Sequence, residues 1–226
     1  KVIRYRSERG GIGFYEVLLK DTGIKVELAA TTRASLQRFT FPAAEPARVL
    51  LEFLLPNEYG MKVLKARVHR SGPDEIEGTI ETDFPDLYYN GEQRFDLHFV
   101  MQLSRPFDTL GGWQGDTTTT NVETVEVSGD CGAFLEFKTQ LGEKVMARTG
   151  ISLVSLANAR LNLEQELAKP FGWQFSAVVE NQRRTWNELL GRVEIESPDA
   201  REKARFYSNL YRAMVGRNIW SDVNGE

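Results

Sequence analysis

The sequence predicts a mainly β chain that turns α near residue 155, as an antiparallel sandwich handed on to helices. Three observations carry that reading. About ten stretches of β-branched and aromatic residues recur at short spacing before residue 155. Gly, Pro, Asn and Asp turn chemistry separates them, with no helical period between. At residues 144–167, KVMARTGISLVSLANARLNLEQEL, the hydrophobic period itself changes.

In chain order, the first strand signal is residues 2–6. Residues 14–21 and 23–31 follow, joined by the hairpin turn Asp21-Thr22-Gly23, and then residues 33–41. Residues 48–55 form an apolar run bounded by Pro46 and Pro56, which suits the margin of a sheet. Further strands are expected at 62–69, 75–82, 95–103, 122–127, 133–138 and 145–154. Ser71-Gly72-Pro73, Asn90-Gly91, Gly111-Gly112 and Ser128-Gly129 read as the loops. In the last of these strands Val145, Ala147, Ile151 and Leu153 share one face, and Met146, Arg148, Ser152 and Val154 the other. From Leu156 the step becomes three or four. Leu156, Ala159, Leu163 and Leu167 form an apolar stripe, and Asn158, Arg160, Asn162 and Gln165 the expected outer face. Ser176 suits an N-cap for a helix to about Leu190, with Val179, Trp186, Leu190 and Val193 on one face. Ser197-Pro198-Asp199 starts another, carrying Phe206, Tyr207, Leu210, Tyr211 and Met214 and stopped at Gly216. About 70 residues of helix bury too little surface to stand alone, so these faces must pack on something else.

Composition bounds the function. The chain has 226 residues, 41% hydrophobic and 27% charged, with a net charge of −4. That balance offers no basic stripe for nucleic acid, and no apolar run reaches a membrane span. The single cysteine, Cys131, excludes an internal disulfide and a cysteine-rich metal site. Both ends read as cut: Lys1 opens inside a strand signal, and Val223-Asn224-Gly225-Glu226 is a turn leading nowhere. The chain is expected to be an internal piece of a longer protein, so the absence of a targeting signal carries no information.

The chemistry-bearing residues are sparse. His69 and His98 are the only histidines; each falls within a strand and reads as structural. Residues 117–120, four threonines, suit glycan or phosphate hydroxyl contacts but read more simply as a solvated loop. Asp83, Asp86, Asp108 and Asp116 lie at strand ends, where spacing alone pairs none of them for acid/base work. Trp113, after Gly111-Gly112, suits a sugar-stacking platform and core or edge packing equally well. No phosphate loop, zinc spacing or calcium-loop pattern is present.

Four segments, in order, carry a resemblance. They are GIKVELAATTRASLQRFTFP at 23–42, LHFVMQLSRPFDTLGGW at 97–113, RTGISLVSLANARLNLEQE at 148–166 and FYSNLYRAMVGRNIWSDVNG at 206–225. Together they resemble glycoside hydrolase family 92, the calcium-dependent, inverting exo-α-mannosidases. The resemblance implies a β-supersandwich of the galactose-mutarotase type at residues 1–155, truncated at its start. It implies a helical linker at 156–196, and the first helix and loop of an (α/α)6 catalytic barrel at 197–226.

The implied parent trims terminal mannose from N-glycans or mannans, and its partners are a mannose-containing glycan and the rest of its own catalytic domain. The alternative is a non-catalytic glycan-binding or structural sandwich. General acid, general base and calcium ligands are expected outside this chain, so the fragment alone is expected to be inactive. An exported location (periplasmic, cell-surface or secreted) goes with the resemblance. Asp222 is the implied sugar ligand, able to accept hydrogen bonds from two adjacent hydroxyls, although Ser221 and Asp222 equally suit a local turn or cap. Asn224 stands where the family usually has aspartate, which keeps an oxygen but loses a charge. Trp113 completes the candidate substrate-binding set.

Overall fold

The structure is a computed structural model that describes residues 5–54, 60–84, 93–215 and 219–226. Among the described residues thirteen strands precede the helices: β1 (Tyr5–Gly11), β2 (Phe14–Leu19), β3 (Lys25–Ala30), β4 (Ala34–Thr40), β5 (Ala44–Glu52), β6 (Lys62–Arg70), β7 (Glu75–Phe84), β8 (Gln93–Leu103), β9 (Thr109–Gln114), β10 (Thr117–Thr120), β11 (Thr124–Val127), β12 (Cys131–Thr139) and β13 (Lys144–Ser152). All described pairings are antiparallel. They build a nine-stranded sheet, β1-β2-β3-β4-β13-β8-β7-β6-β11, and a four-stranded sheet, β10-β9-β12-β5. The predicted β-sandwich followed by helices is the fold found.

The two sheets enclose the main core, where Phe41, Phe107, Leu110, Leu135 and Phe137 are almost wholly buried. Phe41 meets Phe137 edge to face, with centroids 5.4 Å apart. A second core lies on the opposite face of the large sheet, where Ala34, Leu36 and Val100 meet Ala159, Leu163 and Leu167. The large sheet is therefore the middle of three layers. That position explains β13, whose Val145 and Ala147 enter the main core while Gly150 and Ser152 face the helices. Ile151, which shares the face of Val145 and Ala147, is 43% exposed.

Two strands contradict the loop reading. Residues 109–114 and 117–120 form a β9–β10 hairpin with Gln114 opposite Thr117, turning through Gly115 at φ +54°. Gly111 and Gly112 read as a turn, yet they lie mid-strand because nothing larger fits. A Cβ on Gly111 would stand 2.2 Å from the Phe134 ring, and one on Gly112 2.4 Å from Val125 Cγ1. β5 begins before Pro46, which it tolerates because its only described partner is β12. The expected turn at Asn90-Gly91, Asp86, and the stop at Gly216 lie outside the described residues.

The helices are α1 (Leu156–Leu163), continued by a π-helical turn (Glu164–Ala168) and by α2 (Lys169–Phe171), then α3 (Phe175–Leu190) and α4 (Ala200–Val215). Ser155 caps α1, its hydroxyl accepting from Asn158 N at 3.1 Å. The expected outer face of α1 needs correction: Asn158 and Asn162 are buried, because the 219–226 turn packs over that side of α1 against the end of β13. Ser176 does not cap α3; the cap position is Gln174, with no side-chain hydrogen bond. α4 starts later than expected. Asp199 accepts from Arg201 N at 2.8 Å, and Ser197 instead receives Asp199 N at 3.1 Å.

Candidate functional site

A cavity of about 1160 Å³ opens where the sandwich meets the helices. Its walls are the β3–β4 turn at Thr31-Thr32-Arg33, the end of β13, the π-helical turn, α3, and the segment from Ile219 to Asp222. Apolar side chains, among them Phe171, Trp186, Leu189 and Trp220, line most of it. Two polar groups form its floor.

The first is centred on Arg33 and Glu166. Glu166 Oε1 accepts from Arg33 Nη1 at 2.6 Å, and Oε2 accepts from Arg33 N and Thr31 Oγ1, both at 2.7 Å. Arg33 Nε donates to the Ser221 carbonyl at 2.5 Å, and Nη2 makes no hydrogen bond among the described residues. The β3–β4 turn thus holds both the π-helical turn and the turn at 219–226.

The second is a clasp around Asp222, which is 5% exposed. Its Oδ2 accepts from Ser152 Oγ at 2.6 Å and Asn158 Nδ2 at 2.9 Å, and its Oδ1 from Asn162 Nδ2 at 2.6 Å. Asn162 also donates to Ile151 O at 2.8 Å and accepts from Val223 N at 3.0 Å, which leaves its amide fully used. Burial pushes the Asp222 carboxyl up, but hydrogen bonds from Ser152, Asn162 and Asn158 outweigh it and hold the group below the usual aspartate range. Asn158 and Asn162 stand four apart on one face of α1, so two amides converge on one carboxylate.

Behind the cavity a charged network pins α1 to the sheet. Arg160 donates to both oxygens of Glu75, at 3.0 and 2.7 Å, and to Glu77 at 3.0 Å. Gln102 joins Glu75 to Arg148, whose guanidinium lies 4.4 Å from the Trp173 ring centre. Burial raises the Glu75 carboxyl, but hydrogen bonds from Arg160, Gln102 and Ser71 bring it down to about 2.

The residues singled out from sequence are dispersed. Asp222 lines the cavity, yet both its oxygens are held by the chain's own donors. Asn224 is exposed in the same turn, its Oδ1 accepting from Glu226 N at 3.3 Å. Trp113 lies apart, on β9 of the small sheet, against a different cavity of about 1130 Å³. One part of its indole covers Gly132, where a Cβ would come within 2.2 Å of the ring.

His69 Nδ1 lies 3.1 Å from both Glu123 O and Thr124 Oγ1, and His98 Nδ1 lies 2.9 Å from Thr79 Oγ1. Asp108 and Asp116 are exposed, and Asp83 lies one residue before the end of β7. Among the described residues, no three His, Cys, Asp or Glu side chains lie close enough to share a metal ion, and no helix is long and apolar enough to cross a membrane. Sequence reasoning missed Arg33, Glu166, Ser152, Asn158, Asn162 and Trp220. Only the four-residue spacing of the two asparagines was a usable signal.

Comparisons with known proteins agree over the whole length. The model described as the glycosyl hydrolase family 92 N-terminal domain matches residues 1–152, and that for the family 92 catalytic domain matches residues 158–226. No curated protein matches. Among solved structures, the family GH92 α-mannosidase BT3965 from Bacteroides thetaiotaomicron has a TM-score of 0.79 and 22% identity, covering 99% of this chain and 30% of its own. The inverting mannosidase BT2199 from Bacteroides thetaiotaomicron VPI-5482 gives 0.77 and 25%, covering 99% and 29%. The GH92 glycosyl hydrolase ccman5 gives 0.80 and 24%, covering 99% and 30%. The chain thus spans less than a third of each of these proteins. On the strength of the two family models, which together account for nearly every residue, this chain belongs to glycosyl hydrolase family 92.

Proposed function

We propose that this chain is the sandwich-and-linker part of a larger α-mannosidase. That parent releases terminal mannose from N-glycans or mannans with inversion of configuration and with the help of calcium. The observation that carries this reading is the succession of the two family domains along one chain, with the large cavity at their junction. A similar structure is described as an inverting mannosidase, and another was determined with mannoimidazole bound.

An inverting glycosidase needs two carboxyl groups about 6.5–9.5 Å apart, one protonating the leaving oxygen and one activating water. Glu166 and Asp222 are the cavity's own carboxylates, and each is immobilised by three donors from this chain. Neither is free for proton transfer, so the acid/base pair is assigned to the remainder of the parent. The calcium ligands are assigned there too; among the described residues no three His, Cys, Asp or Glu side chains lie close enough to share an ion. Its contribution is to wall the substrate pocket and to exclude water from it.

The test is the parent protein with an aryl α-mannoside, followed by proton NMR. β-Mannose should form first, activity should fall on chelation and return with calcium, and the 226-residue chain alone should give no turnover. First-formed α-mannose would overturn inversion, activity indifferent to chelation would overturn the calcium requirement, and a parent inactive on every α-mannoside would overturn the function.

A further inference from the structure

The geometry points to Asp222 as a positioning residue rather than a sugar ligand. Through Ser152, Asn158 and Asn162 it clamps the turn that presents Trp220 as an aromatic wall for a sugar at the cavity mouth. This rests on the glycosidase reading above and deepens it.

The backbone that follows Trp220 is fixed by both the sandwich and α1. Ser221 O is held by Arg33 Nε of the sandwich, and Asp222 by Ser152 of β13 and the two asparagines of α1. Val223 N is taken by Asn162, Asp222 N donates to Glu226 O at 2.7 Å, and Gly225 N returns to Asp222 O at 3.0 Å. Gly225 closes that loop at φ +89°, where a side chain would be strained. Trp220 itself stands outside the clasp, 72% exposed, and lines the cavity.

A large exposed indole on a rigid backbone invites a ligand with an apolar face. Arg33, which holds the carbonyl of the next residue and lines the same cavity, offers Nη2 with no hydrogen-bond partner among the described residues. An aromatic face beside a guanidinium donor matches a pyranose, whose C–H face stacks while a hydroxyl oxygen accepts. Asp222 reaches the sugar only through Trp220. Its buried carboxylate orders the turn, and the turn orders the indole.

The test uses the parent enzyme, with Trp220→Ala, Asp222→Ala and the double variant. Hydrogen exchange of the 219–226 peptide is followed alongside kinetics. Trp220→Ala should keep the melting temperature and raise KM by ~10-fold or more with kcat within ~3-fold, because an exposed stacking contact is lost. Asp222→Ala should accelerate exchange of 219–226 and weaken kcat/KM similarly, and the double variant should be hardly worse than either, since both remove one device. Should Asp222→Ala fail to fold, Ser152→Ala, which removes one of the three donors, keeps the test with a smaller effect in the same direction.

Additive losses in the double variant would overturn the inference, since Asp222 would then act on its own. So would normal kinetics in Trp220→Ala, the result if protein rather than sugar covers the indole. A parent inactive on every α-mannoside would sink the proposed function and with it the sugar at Trp220. The clasp would then stand or fall on exchange alone, unchanged exchange of 219–226 in Asp222→Ala overturning it.

Discussion

Gly150 shows how closely α1 is fitted to the sandwich. A Cβ there would lie 2.4 Å from Ala159 O, 2.6 Å from Leu163 Cβ and 2.8 Å from Leu163 N, two of the three being backbone atoms of α1. Backbone cannot turn aside as a side-chain end can, so Gly150→Ala must push α1 off β13 or bend the strand. Overpacking of this kind costs about 1–3 kcal/mol. In a domain of this size that should lower the melting temperature by several degrees. Gly72→Ala is the control: its nearest contact would be 3.5 Å away, so its effect should stay within about 0.5 kcal/mol. Equal melting temperatures for the two variants would show that α1 does not press on β13. At this scale little could be read in advance. The partners of Asp222 lie 70, 64 and 60 residues away, and Glu166 lies 133 from Arg33, so no local pattern announces either group. The sugar-ligand role of Asp222 came only from the family resemblance, and its residue type in a turn suited a cap equally well.

Among the elements, α1 is held by charge as well as by packing, and the charge has a pH signature. Glu75 stays ionised in the folded chain down to about pH 2, while the unfolded chain protonates near 4.5. Between those values the unfolded state binds the extra proton, so stability rises with pH through the window. The contribution is complete above about 4.5 and is lost as pH falls toward 2. With the side chain 15% exposed and Arg160 37% exposed, solvent screening brings it to about 2 kcal/mol or less. Glu75→Gln should therefore be less stable at neutral pH and show a shallower decline on acidification, measured by denaturant unfolding from pH 7 to 2. Parallel pH curves for the two proteins would remove Glu75 from the acid response. The approximate positions of most strands followed from alternation and turn residues, but their order in the sheets did not. The helix start followed from the change of period at Ser155. The second buried face of α1 did not follow, because asparagine ordinarily marks a solvated face and its cover comes from far along the chain. β9 was lost for a related reason: glycines chosen to fit beneath Phe134 and Val125 look the same in sequence as glycines chosen to turn.

Across the whole molecule, order should fall away from the central sheet toward α4. β12, β13 and α1 share buried cores on both faces of the large sheet, whereas α4 buries none of its side chains. Its described ties are few: Tyr211 stacks near Trp186 with centroids 4.6 Å apart, and Tyr207 Oη donates to Val193 O at 3.1 Å. A helix of 16 residues is marginal in water without a packed face. Yet Phe206, Leu210 and Met214 give α4 an apolar stripe suited to one. In the longer mannosidase proposed above, that stripe would pack on further helices of the catalytic domain. In the 226-residue chain by itself, α4 amides should exchange orders of magnitude faster than those of β12, because local opening there breaks almost no buried contact. In the parent the same amides should be protected, while those of β12 change little. Hydrogen exchange followed by mass spectrometry on both proteins decides it. Protection of α4 in the isolated chain equal to that of β12 would mean that the α3 contact is enough to hold it. The parent's remaining helices would then have no part in stabilising this one.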